Sequence, residues 1–125
     1  MNALDTMRAL ANEGEVRHFE AGEFVFGAGD SGDCMFGVLE GTIELSWNNH
    51  AGSEEIQAGD VFGAGALVTA DHRRFGEAKA LTASRILVMN REKFLFAVQE
   101  SPMFAVELLG SIDERLRKLK DCLKR

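Results

Sequence analysis

GDVFGAGALVTADHRRFG, residues 59–76, is the stretch on which the reading of this chain turns. It opens with a Gly59-Asp60 turn, passes through Gly63-Ala64-Gly65-Ala66 and ends on His72-Arg73-Arg74, the densest cationic spot outside the C-terminal tail. Glycines let backbone N–H groups come close to an anion, and a short helix that follows aims its N-terminus at that anion. An arginine opposite can then close on a phosphate with two parallel hydrogen bonds. Taken alone, the same residues also describe a surface loop with two solvated arginines, so the flanking sequence has to decide.

Upstream and downstream of this stretch, residues 15–90 are short β-rich runs broken by glycine. Val16–Phe19, Glu23–Phe26, Met35–Leu39, Ser53–Gln57, Glu77–Leu81 and Arg85–Met89 read as strands. Ile43, Leu45 and Trp47 alternate with Thr42, Glu44 and Ser46, the clearest half-buried strand in the chain. Gly27, Gly29 and Gly32 with Asp30 and Asp33 form a turn cluster, and residues 48–52 read as a polar hairpin turn. Many short strands joined by glycine turns imply a sandwich or barrel, and at this size a jelly roll.

Helices are expected on either side of the β region. Leu4, Met7, Leu10 and Ala11 recur at helical spacing over residues 3–12, with Gly14 as a stop. Asn90 can cap a helix over 91–99, and Ser101-Pro102 can start a second one. Along that last helix Ala105, Leu109, Ile112, Leu116, Leu119 and Leu123 step by 4, 3, 4, 3, 4, an a/d seam. The seam runs past what one β core needs, so a homodimer through paired C-terminal helices is expected. A helix folded back on its own barrel is the alternative. One domain over residues 1–125 is expected, divided into helix 3–12, jelly roll 15–90 and helices 91–125.

Composition narrows the function classes. With 125 residues, 46% hydrophobic and 27% charged, the chain can bury a core without staples. The formal net charge of −6 disfavours nonspecific nucleic-acid binding. Cys34 and Cys122 are two distant thiols without a disulfide or zinc pattern, and Asp33 beside Cys34 should raise its pKa. His18, His50 and His72 are too scattered for a metal site, and no serine or cysteine sits in a nucleophile motif. No run suits a signal peptide or a membrane span, so a cytoplasmic, non-enzymatic protein without metal or cofactor is expected.

Four turns, Ala21-Gly22-Glu23, Gly29-Asp30-Ser31-Gly32-Asp33, Leu39-Glu40-Gly41 and Gly59-Asp60-Val61-Phe62-Gly63, occur in one order. In this the chain resembles the cyclic-nucleotide-binding domain family of catabolite activator protein, over essentially residues 1–120. The resemblance implies an eight-stranded jelly roll with one N-terminal and two C-terminal helices, and a phosphate-binding cassette on the 59–76 stretch. Phe75-Gly76-Glu77 spells the usual start of that cassette, but starting there leaves too few residues for two strands before Arg91. Starting at Phe62-Gly63 keeps both strands and puts Arg74 at the phosphate-binding arginine.

In that register the resemblance implies ligand contacts from Gly63, Ala64, Gly65, Ala66, Arg74, Phe75 and Gly76, with cyclic AMP, cyclic GMP or another cyclic nucleotide as ligand. It also exposes two departures. Family members carry a carboxylate for the ribose 2′-hydroxyl where this chain has Ala64, and a small residue where it has Phe75. Losing a charge-assisted hydrogen bond costs about 1.5–3 kcal/mol, roughly ten- to over a hundredfold in affinity. A phenylalanine beside the phosphate would narrow or plug the pocket. Two readings follow: a regulatory module with an altered ligand site, or a scaffold or protein-interaction module of the same fold that has lost its ligand. Ser111, Asp113 and Glu114 are the polar candidates to cap a base from the last helix, and Arg73 reads as a surface charge. DNA-binding members append a helix-turn-helix after the long helix. Residues 1–125 contain none, so DNA binding is not expected and any effector would be a separate protein.

Overall fold

The computed structural model describes residues 2–11 and 15–123. Helix α1 (Ala3–Leu10) starts at Asn2, whose side chain accepts from the Asp5 N–H while the Asp5 carboxylate accepts from the Asn2 N–H. This reciprocal capping satisfies two donors that a bare helix end would leave open. The helix ends at Leu10 with Ala11 as its C-cap, two residues short of the expected 3–12, and the expected stop at Gly14 lies outside the described residues.

Eight strands then form two four-stranded antiparallel sheets. The first carries β1 (Val16–Phe19), β8 (Ser84–Asn90), β3 (Cys34–Glu40) and β6 (Val61–Phe62) in that order. The second carries β2 (Phe24–Phe26), β7 (Glu77–Ala80), β4 (Thr42–Trp47) and β5 (Gly52–Gln57). Sequential strands land in both sheets, as the jelly-roll expectation requires. Between β6 and β7 sits the short helix α2 (Gly65–Val68); α3 (Arg91–Glu100) and α4 (Met103–Leu123) close the chain.

Two cores follow from the period-2 alternation of the central strands. Phe36 and Val38 on β3, with Ile86 and Val88 on β8, pack against Ile43, Ile56, Ala78 and Ala80 of the second sheet. Their neighbours Met35, Leu87 and Met89 face the other way, into a helix-covered core with Leu4 and Met7 of α1, Phe94 of α3, and Phe104 and Leu108 of α4. The first sheet is therefore buried on both faces, which explains the unbroken burial of Cys34–Val38 where a half-exposed strand would alternate.

The last helix is anchored at its beginning. Ser101 caps α3 through its N–H to the Ala97 carbonyl, and its own carbonyl accepts from Phe104, so the Ser101-Pro102 pair turns the chain from α3 into α4. The Thr6 hydroxyl donates to Glu107 at 2.7 Å, tying α4 to α1. The seam residues Leu109, Ile112, Leu116 and Leu123 are all exposed, by 42–86%. The residues that meet the core are Phe104 and Leu108, offset from the seam by one position. Ile112, Leu116 and the half-buried Leu119 border the cavities between α4 and the β region, so the seam is part exposed and part turned towards the chain's own barrel.

Phe62 is buried to 1% and stacks on Phe36 at 5.1 Å, whereas Phe75 is 78% exposed. Phe62→Ala is expected to cost about 3–5 kcal/mol and Phe75→Ala no more than about 0.5 kcal/mol. Urea titration of the two variants, read as a shift in midpoint at constant slope, checks the contrast.

Candidate ligand site

The Arg74 guanidinium is the organising group of the site. The residue is 6% exposed, and its side chain runs back into the sandwich. Nη1 donates to the carbonyl of Gly63 at 2.6 Å and Nη2 to the carbonyl of Cys34 at 2.6 Å. Its carbon centre lies 4.4 Å from the ring centroid of Phe26 and 5.3 Å from that of Phe36. Among the described residues no carboxylate forms an ion pair with it. Burial lowers its pKa, opposed by Cys34, Asp33 and Asp30 nearby, but an arginine remains charged. The result is a buried cation held by dipoles and ring faces, with no full negative charge in contact.

Local backbone explains how this cation is seated. Gly63 has φ +82°, a left-handed conformation that turns the chain from β6 towards α2. A Cβ at Gly32 would collide with the guanidinium, so the turn cluster 27–33 must pass the arginine with glycine at that point. The Arg74 N–H donates to the Asp30 carbonyl, and the Gly29 N–H to the Arg74 carbonyl, at 2.8 and 2.9 Å. His72, at φ +53°, donates from Nδ1 to the Ala66 carbonyl at 2.8 Å and so pins the end of the loop to α2. Nothing in the residues around His72 in the sequence signals this loop-closing bond.

A cavity of about 360 Å³ opens beside these groups. Gly63, Gly65, Ala66, Arg74, Phe75 and Gly76 line it, together with Phe26, Trp47, Glu54, Arg115 and Leu119. Six of the seven expected residues are therefore brought together. The seventh, Ala64, is not on this cavity: it is 7% exposed, packs in the helix-side core and borders a neighbouring cavity of about 310 Å³. Its Cβ faces the core because Ala64 is the N-cap of α2 in helical backbone conformation. Phe75 lines the cavity while 78% exposed, so of the two expected effects, narrowing or plugging the pocket, plugging is corrected. Arg74 is 6% exposed and its neighbour Phe75, in the bend before β7, is on the outside. Arg73 is exposed, as read, and donates to the Gly29 carbonyl at 2.9 Å.

The residues that α4 contributes also differ from expectation. Ser111 and Glu114 border a third cavity beside Asn2 and Asp60, and Asp113 pairs with Arg117 one turn on at 2.8 Å. Arg115 and Leu119 line the main cavity instead. Arg115 makes a two-point contact with Glu54 on β5, Nε to Oε1 at 2.8 Å and Nη2 to Oε2 at 3.2 Å. The pair is separated by 61 residues, and no spacing in the sequence could reveal it. No group of three or more metal-ligating side chains gathers among the described residues, and none of their helices is long and apolar enough to cross a membrane.

Together these elements make a small antiparallel sandwich with a buried arginine at the edge of a part-open cavity. Similarity to known proteins identifies the family. The cyclic nucleotide-binding domain family matches residues 16–101, and the chain belongs to that family. The cyclic AMP receptor protein of Thermus thermophilus is 27% identical over 107 residues, covering 82% of this chain and 49% of that protein. The chain thus spans about half the length of this curated relative. A structure solved for a cyclic-GMP-dependent signalling pathway in bacterial phytopathogenesis is 25% identical, covering 92% and 91% of the two chains, with a TM-score of 0.77. The c-di-GMP-responsive regulator CLP of Xanthomonas campestris shares the fold at 14% identity, 98% and 62% coverage and a TM-score of 0.81.

Cys34 reports on this site, because its carbonyl and its sulfur, at 3.8 Å, both face Arg74. Burial raises the pKa of its thiol, with Arg74 opposing and Asp33 adding to the rise, so less thiolate is present at a given pH. At pH 8 a maleimide is expected to label only the exposed Cys122 quickly. Cys34 should react at least about a hundredfold more slowly until urea unfolds the chain, which mass spectrometry of timed samples measures.

Proposed function

We propose that this chain is a regulatory module that binds a cyclic nucleotide or a related phosphate ligand and signals through α4. The observation that supports it most is the buried Arg74 guanidinium, which has no carboxylate partner among the described residues and borders an open cavity. A ligand phosphate would supply the missing negative charge, with backbone of the Gly63–Ala66 turn as further donors. Exchange of the two carbonyl contacts for phosphate oxygens replaces neutral acceptors with charged ones, roughly doubling the strength of each bond. With alanine at position 64, the ribose 2′-hydroxyl loses its usual acceptor, so micromolar rather than nanomolar affinity is expected.

The cavity is open where the ligand-free scaffold reading required a plug, and that favours the binding reading. Calorimetric titration with cyclic AMP, cyclic GMP and cyclic dinucleotides tests it. Binding at micromolar to sub-millimolar concentration is expected, weakened more than tenfold in Arg74→Lys and lost in Arg74→Ala, with circular dichroism confirming that each variant is folded. No heat at millimolar nucleotide, or unchanged binding in Arg74→Ala, overturns the proposal.

The same helix gives the output a route. Its exposed seam of Leu109, Ile112, Leu116 and Leu123 suits a second copy of the chain in a paired-helix dimer, and an effector protein would respond to the arrangement of that pair. Sedimentation equilibrium should return twice the chain mass. Leu109→Glu with Leu116→Glu should return the single-chain mass with the β fold intact.

A further inference from the structure

The outward face of α4 carries more than apolar residues. Leu109, Asp113, Leu116, Lys120 and Leu123 are all exposed, and they step along the helix by 4, 3, 4 and 3. At 3.6 residues per turn these five make one stripe. Its apolar members are symmetric about Leu116, with Leu109 seven residues before it and Leu123 seven after. Its charged members are opposite in sign about the same point: Asp113 lies three residues before and Lys120 four after. The whole helix has the same polarity. Residues 103–114 carry Glu107, Asp113 and Glu114 and no Lys or Arg, and residues 115–123 carry Arg115, Arg117, Lys118 and Lys120 against Asp121. The helix dipole favours acids and bases only in the first and last turns, so it does not account for Asp113 and Arg115 in the middle.

From this pattern we infer that the α4 face docks a second copy of the chain in antiparallel orientation, with Leu116 on the twofold axis. The inference rests on the paired-helix reading above and adds to it the direction of the pair. A twofold dimer presents the same patch on both copies. In a parallel pair every residue lies level with its own copy. Asp113 would then face the partner's Asp113, and Lys120 the partner's Lys120, two like-charge contacts along an apolar seam. In an antiparallel pair centred on Leu116, Leu109 lies level with the partner's Leu123 and Leu116 with the partner's Leu116. Asp113 comes within one residue, about 1.5 Å along the axis, of the level of the partner's Lys120. The twofold repeats that contact, so two opposite-charge contacts accompany three apolar layers.

Both charged residues have capacity for a partner. Asp113 uses one carboxylate oxygen on Arg117 of its own helix at 2.8 Å, and Lys120 forms no ion pair among the described residues. Arg115, next to Leu116, seats α4 on Glu54, so the twofold falls where each helix is held to its own sandwich.

Cysteine pairing reads the orientation directly. Cys122→Ser removes the exposed native thiol. In that background, Leu116→Cys should form a disulfide with its own copy under mild oxidation. Leu109→Cys and Leu123→Cys should each stay unlinked alone and cross-link when mixed, because the antiparallel pair holds like positions about 21 Å apart along the axis. Mass spectrometry of the unreduced products tells the species apart. Asp113→Lys should weaken the dimer about fivefold or more in sedimentation equilibrium, and Asp113→Lys with Lys120→Asp should restore it, with circular dichroism confirming the fold. Leu109→Cys or Leu123→Cys linking to its own copy, a disulfide at position 116 without the mixed product, or no rescue by the double exchange overturns the antiparallel pair while the dimer stands. No disulfide at position 116 together with a single-chain mass overturns both.

Discussion

A guanidinium buried with no carboxylate ion pair among the described residues is the constraint to which the rest of the site is fitted. Desolvating a cation is costly, and the usual remedy is an adjacent anion. Here the remedy is distributed: two carbonyl dipoles, from β3 and from the end of β6, and two aromatic faces, from β2 and β3. The four partners come from three parts of the chain, β2, β3 and the end of β6, so Arg74 holds their relative positions as much as they hold Arg74. The glycine at position 32 follows directly, because the turn cluster has to cross the guanidinium at a distance no side chain permits. Phe26, Phe36 and Phe62 form one aromatic group with centroids 5.1–6.3 Å apart, which makes the ring faces offered to the cation rigid.

The fold was readable because most of it is periodic. Alternation along Thr42–Trp47 and the step of 3 and 4 along the last helix each name a buried or exposed face, and the strands and helices fall where those periods put them. The β3 strand is the partial exception. Its run of buried residues hides the alternation, which only the two separate cores restore: Met35 to the helices, Phe36 and Val38 to the second sheet. The strand boundaries after the 59–76 stretch were also legible, since two strands must fit before Arg91 and β7 and β8 do begin at Glu77 and Ser84. The directions of side chains inside that stretch were not. A turn has no period, so nothing in the letters says that Ala64 joins the core, that Arg74 points in and that Phe75 points out. Nor can spacing pair Glu54 with Arg115, because that contact depends on how α4 lies across β5.

The resemblance and the residue chemistry carry different parts of the conclusion. Turn order and strand count speak to the family and the fold, and the structure and the comparisons bear out both. The ligand depends on fewer atoms. Ala64 removes one polar contact that relatives of this type are expected to use, and its place in the core means that no small adjustment of its side chain replaces it. Binding would then lean on the phosphate end at Arg74 and on whatever the opposite wall can add. That wall is formed by Arg115 and Leu119 of α4 with Glu54 of β5.

How α4 is held bears on whether a ligand can be signalled at all. Its first half is fixed by Phe104 and Leu108 in the helix-side core and by the Thr6–Glu107 hydrogen bond. Two turns beyond Leu108, the Arg115–Glu54 pair is its contact with the second sheet, and past Leu116 the helix is exposed apart from the half-buried Leu119. A helix of 21 residues is about 31 Å long, so a small change of angle at Arg115 displaces the far end by several times the local shift. A ligand shifts such an equilibrium only by the difference in its affinity for the two arrangements. One that touches Arg74 alone has little to distinguish them, because Arg74 belongs to the sandwich in both. One that engaged Arg115 as well would have such a difference, because Arg115 lines the cavity and also seats the helix on Glu54 of β5.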